Sequence, residues 1–387
     1  MTQTGADQLT HGSADGVFHS HSYYDVPVFD ESSRLLCAHR LRMTGHHPGP
    51  QDGVEIGVID LTDRQWQRVG ESHAWSWQQG PLTQWLPHGP RLVWNDREAG
   101  AIVARLMDLD SGRLLTLERP VYALDPAGEF ALSVDMLRLN EVRPGYGYPA
   151  SHPMQGLAAR PKDNGIWRMP LNGGASRLIL SLAEAVDFLL SKLSLRQKLH
   201  HWRQAYLYWF NHVKLSPDGQ RFTVKLRFRS RDRSKGWNDQ MGYSLTADVT
   251  GGDLRLLAHG TSHVIWLDQK HLYLWQRDGA YVYEDARPVG RRQRALAPGL
   301  ICDNAHIRHL PAAPHRFVFD IPYRPQVDLM IYDDQTGESR QLAQFDNHDP
   351  PRGPFRCDLH PNPDRTGQTV CVTSLHDGGR QIYLVRP

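Results

Sequence analysis

Four histidines stand at one fixed distance from a turn. His212 precedes Ser216 by four residues, His263 precedes Leu267, His306 precedes Leu310 and His360 precedes Asp364, each by four. Imidazole binds Mn, Zn, Fe or Ni and acts as a base near neutral pH. If the chain brings these positions together they describe a site. If not, they are consensus histidines that tie a repeat together by hydrogen bonds.

The elements that must position them are strands and turns. Short apolar runs alternate with Gly, Pro, Asp and Asn turns over most of the chain. Seven turns align: "FDESSRLLCAHR", "LPHGPRLVWND", "LDPAGEFALSV", "LSPDGQRFTVKL", "WLDQKHLYLWQ", "HLPAAPHRFVFD" and "NPDRTGQTVCVTS". A further strand pair follows most of them, as in "VEIGVIDLTDRQWQRV" and "YSLTADVTGGDLRLLA". Such a unit cannot bury both faces alone, but a ring of them closes a core. The fold class is therefore all-β, a seven-bladed β-propeller over 17–387 behind a flexible N-terminal tail, 1–16. The last unit holds only three strands, so an N-terminal strand must close the ring, and "GVFHS" around Val17 is the candidate.

Between the third and fourth turns the spacing doubles. "SLAEAVDFLLSKLSLRQKLHHW", residues 181–202, has a Ser start and apolar residues at Ala185, Leu189, Leu193 and Leu199. It reads as a surface helix packed on the propeller, or a surface for a protein partner.

Innermost strands line a propeller's channel, so the four histidines converge on one side of its mouth. The same register in the first three blades holds Val26, Leu82 and Val121. Loops between second and third strands return to that face and carry polar groups. These include Asn95 and Arg97 of "WNDREAG", Arg143, Tyr146 and Tyr148 of "RPGYGYP", Arg229, Tyr323 with Arg324, and His376 of "SLHDGGRQ". Gln79 lies upstream of the second turn. Arginine forks grip carboxylates, and tyrosine stacks on sugars or donates a proton. The set points to an acidic ligand.

Composition excludes other classes. The net charge of +2 is spread along the chain, unlike a nucleic-acid footprint. No apolar run approaches a membrane span, and no signal peptide is visible. Four scattered cysteines suggest free thiols and a cytoplasmic protein. Phosphate loops and serine-hydrolase elbows are absent.

"FNHVKLSPDGQRF", "SHVIW", "DNAH" and "CDLHPNPD…CVTSLHDGGRQIYLV" resemble the propeller of the oligogalacturonate lyases, and more broadly TolB-like and WD40-like repeats. The resemblance is best over 205–387. It implies a bacterial cytoplasmic propeller that cleaves short uronate oligosaccharides by β-elimination, with a divalent metal, typically Mn²⁺, neutralising the carboxylate. By position, His263 matches the base, and His306 and His360 match metal ligands. Where those lyases carry Gln, His and His, this chain has Cys357, His360 and Asn362. Cys357 suits a softer ion such as Zn²⁺.

Two readings follow. The first is a lyase on an acidic oligosaccharide, with His263 as base, His212 beside it, Arg229 or another arginine on the carboxylate, Tyr146 as acid, and His306, His360 and Cys357 at a metal. The second is a non-catalytic propeller that binds a glycan or a protein. A hydrolase in the same pocket ranks third.

Overall fold

The computed structural model describes all residues except 1–4, 153, 155, 233, 237–240, 349–352 and 354. Seven four-stranded antiparallel sheets form the ring, each running from an inner strand through two middle strands to an outer one. The expected seven-bladed propeller is the observed fold. The inner strands are Phe18–Ser20, Gln84–Trp85, Ala123–Leu124, Leu207–Leu215, Thr261–Trp266, His306–Leu310 and Asn362–Pro363.

Each aligned turn joins an inner strand to the next. In "LSPDGQRF" the Gly219 amide donates to the Ser216 carbonyl at 2.9 Å, with Gly219 at φ +68°. An added Cβ there would meet Asp125 Oδ1 at 2.6 Å, so glycine serves both the turn and the packing of blade 3 on blade 4. Alternate strand residues pack between neighbouring blades, where Trp85, Trp209, Phe222 and Phe319 are fully buried.

Ring closure differs from expectation. "GVFHS" supplies Phe18–Ser20, the inner strand of blade 1. The outer strand of blade 7 is Asp7–Gln8, paired with Tyr383 and Leu384. The closing strand thus falls inside the stretch expected to be a tail, whose first four residues lie outside the described set. A strand of two residues carries too little periodicity to be read in sequence.

The helical insertion is two helices rather than one: α2 (Leu182–Lys192) and α3 (Leu195–Gln204). Ser181 and Ser194 each cap a helix, paired with Glu184 and Gln197 in capping boxes. The second box breaks the expected single helix. Ala185, Val186 and Leu189 bury α2 on the propeller, whereas α3 leaves Leu195, Leu199 and Trp202 exposed. A shorter helix α1 (Met136–Val142) occupies the loop after the second strand of blade 3. No described helix is long and apolar enough to cross a membrane.

Candidate active site

The four histidines meet in the channel. His212 and His360 have left-handed backbones, φ +53° and +49°, and the inner strand of blade 4 bulges between Asn211 and Lys214. Blade 5 bulges between Thr261 and Val264. Bulges re-aim side chains out of the pleat, here toward the channel axis. Ring centroids of His263 and His306 lie 4.2 Å apart, and those of His306 and His360 4.6 Å. Tyr23 fills the middle, stacked on His212 at 5.4 Å and edge-on to His360 at 4.7 Å. Beneath it Lys214 Nζ meets Asp25 at 2.7 Å and Tyr24 at 2.8 Å. Burial pulls the Lys214 amine down to about 8, against the opposing pull of Asp25.

His263 has a defined tautomer. Its Nδ1 lies 2.7 Å from Asn304 Oδ1, while Asn304 Nδ2 donates to Ser262 Oγ and the Tyr323 hydroxyl. The Asn304 oxygen can only accept, so Nδ1 carries the proton and Nε2 the lone pair. Burial, then the neighbouring His306 and His212, pushes His263 well below the ordinary histidine range. His212 and His360 are depressed by burial in the same way. All three are neutral at pH 7.

His306, Asp358 and His360 are buried and present ligand atoms within 4.8 Å of one another. His306 Nδ1 is held by Asp320 Oδ1 at 2.9 Å, which aims Nε2 at Asp358 Oδ2, 3.8 Å away. His360 Nε2 is also 3.8 Å from that oxygen. Arg356 lies 2.9 Å from Asp358. Among the described residues, His306 Nε2, His360 Nε2 and Asp358 Oδ1 are buried without a hydrogen-bond partner, and Asp358 Oδ2 has the Arg356 guanidinium as its ion-pair partner. Buried polar atoms are normally satisfied. A cluster of orphaned ligand atoms around one point, backed by a carboxylate on the far nitrogen of His306, fits a divalent cation.

Above the histidines opens a pocket of about 420 Å³. His212, His263, Arg143, Tyr146 and Tyr323 line it, together with Arg227, Arg277, Arg356 and Asn304. Arg356 donates to the Tyr146 hydroxyl at 2.9 Å, and Arg143 lies 4.8 Å over the Tyr146 ring.

Other anticipated residues stand elsewhere. Arg229 donates to the carbonyl of Val142, the last residue of α1, and Arg227, two residues earlier on the same strand, lines the pocket instead. Cys357 is not in the ligand group, because its Sγ points to the Thr373 carbonyl at 3.7 Å. Tyr148 is fully buried and bonded to Asn95, whose amide also exchanges hydrogen bonds with the Val121 backbone. Gln79 bonds Tyr122, and Arg97 bonds the Pro149 carbonyl. Arg324 reaches Cys302 Sγ at 3.3 Å on the rim of blade 6. His376 accepts from the Asp346 amide at 3.2 Å. These eight are structural or peripheral, outside the pocket lining.

Tyr23, Asn304, Asp358 and Arg356 were not anticipated as site residues. Arg356, Asp358 and His360 are spaced by two, the period that places extended-chain residues on one face, while Cys357 falls on the other. That alternation was the usable signal. Tyr23, in a loop before the first turn, offers none.

Similarity to solved structures agrees with this architecture. An oligogalacturonate lyase in complex with manganese superposes with a TM-score of 0.65 at 14% identity, covering 100% of this chain and 94% of that one. An oligogalacturonate lyase from Vibrio parahaemolyticus gives 0.62 at 12%, with the same coverage. An acylaminoacyl peptidase gives 0.53 at 10%, covering 96% of this chain and 51% of that one. At these identities the likeness is one of fold, and that fold serves more than one chemistry. No protein-family model and no curated protein matches the chain.

Proposed function

We propose that the protein is a lyase that cleaves a uronate-containing oligosaccharide by β-elimination. The observation that carries this reading is the pairing of a neutral, tautomer-fixed His263 with a cationic pocket and an adjacent buried His306–Asp358–His360 group. Two of the solved structures similar in fold are oligogalacturonate lyases, one holding manganese, which supports the same chemistry here.

Arg143, Arg227 and Arg277 would grip the sugar carboxylate, raising the acidity of the C5 proton. His263 Nε2 removes that proton. The C5–H electron pair becomes the C4–C5 double bond as the C4–O bond breaks. Tyr146, its oxygen held by Arg356, gives its proton to the departing oxygen, and solvent exchange resets both groups. His306, Asp358 and His360 would hold a divalent cation, Mn²⁺ or Zn²⁺. When bound it supplies positive charge against the anion that develops at C5 and its carboxylate.

Mass analysis of products from a panel of uronate oligosaccharides tests the reading. Elimination gives fragments whose masses add to that of the substrate. Fragments that together contain one extra water would mean hydrolysis, and an intact substrate would leave a binding propeller.

A second reading concerns the helical insertion. Leu195, Leu199 and Trp202, 84%, 44% and 78% exposed, form one stripe on α3 and favour a protein partner. Light scattering of wild type and Trp202→Glu tests whether that partner is a second copy. A dimer lost on substitution supports it, and a monomer in both removes it.

A further inference from the structure

A second hollow of about 390 Å³ opens on the same face, where blade 7 meets blade 1. Its lining differs in kind from that of the histidine pocket. Phe18, Trp77 and Phe355 provide aromatic surface, and Arg380 provides charge. Arg356 lines both hollows, so the two adjoin at that residue.

Arg380 is only 8% exposed. Its guanidinium sits 4.9 Å over the Trp77 ring and donates to the carbonyls of Phe355 at 3.0 Å and Arg356 at 2.9 Å. Among the described residues no carboxylate forms an ion pair with it. Buried charge is normally matched by an opposite charge. Here backbone dipoles hold the group in place, and no counter-charge stands beside it among the described residues. The rest of the hollow is the apolar surface that a sugar ring packs on.

We propose that this hollow is an extension subsite for a further uronate unit of the same chain. The ring would lie against Trp77 and Phe355, with its carboxylate on Arg380, while Arg356 spans the junction with the first pocket. This rests on the uronate reading of the histidine pocket and adds to it a preference for chain length and for charge on the outlying unit.

Calorimetric binding of digalacturonate and trigalacturonate to the full chain tests it, together with turnover of each. The trimer is expected to bind at least about tenfold tighter than the dimer, the gain of one added charge-assisted contact. Methyl esterification of the terminal units of the trimer should remove that gain, as should Arg380→Gln. Thr44→Trp, a rim substitution at an exposed position, should block the hollow, removing the gain while leaving dimer binding and turnover unchanged. It guards against a folding defect in Arg380→Gln. Equal affinities for dimer and trimer, a gain that survives both substitutions, or no binding of either sugar would overturn the subsite. Dimer turnover without a length gain would reject the subsite and leave the lyase. A length gain without any unsaturated product would keep the subsite and reject the lyase.

Discussion

Blades 2 and 7 place Leu82 and His360 at the same register, in the same left-handed backbone, φ +54° and +49°. The left-handed conformation is therefore not specific to the histidines, and side-chain identity separates the two halves of the ring. Around blades 2 and 3 several polar groups near the channel satisfy one another. Asn95 is tied to Val121 and Tyr148, and Gln79 to Tyr122. Across blades 6 and 7 they do not: His306, Asp358 and His360 face each other with unmet atoms. A polar residue that has spent its hydrogen bonds holds the fold, and one that keeps them open is placed for a ligand.

That contrast can be broken from either side. The largest effect is expected on the open side. His263→Ala should cut elimination by about 10²–10⁴-fold, the usual scale for a positioned base, with little change in the unfolding midpoint. Unaltered turnover would remove His263 from that role.

Asp358→Ala comes next. It strips Arg356 of its buried partner, at a cost of about 3–5 kcal/mol in denaturant unfolding. Elemental analysis should also show loss of any divalent ion that the wild type retains. A stable variant with its metal unchanged would contradict the assignment.

On the saturated side Asn95→Ala should cost about 1–3 kcal/mol, since it leaves the Val121 amide unmet. Turnover should stay at the wild-type level. A large loss of activity at unchanged stability would reverse the assignment of that blade as structural.

The last effect is one of pH. Burial pulls His21 down to about 4 and His39 to about 3, from 6.5. The unfolded chain takes up these protons below pH 6.5, whereas the folded chain does not until pH about 4 or lower. Stability is therefore full above pH 6.5 and falls on acidification, by about 1.4 kcal/mol per unit for each such group. His39→Gln should flatten the decline measured by thermal unfolding between pH 7 and pH 5.

The ring and its histidine register are legible in sequence because a strand–turn–strand unit recurs seven times, with Gly, Pro or Asp in each turn, and the register follows by counting. What counting misses is contact between distant segments. Tyr23 enters the channel from a loop, and Arg229 is drawn away by the end of α1, whose carbonyl no local pattern reveals. Loop arginines and tyrosines are equally polar in sequence, yet Arg143 and Tyr146 line the pocket while Arg97 and Tyr148 serve the backbone and the core. Asp358 shares a face with His360 by the period of two, whereas Cys357, the softer ligand type, falls on the other face.

The most direct test is the ultraviolet absorbance of the C4–C5 double bond, conjugated with its carboxylate, when the wild type meets digalacturonate with Mn²⁺ present. The account predicts a steady rise that a chelator suppresses. A flat trace under both conditions, from protein shown to be folded and to bind the sugar, would contradict it.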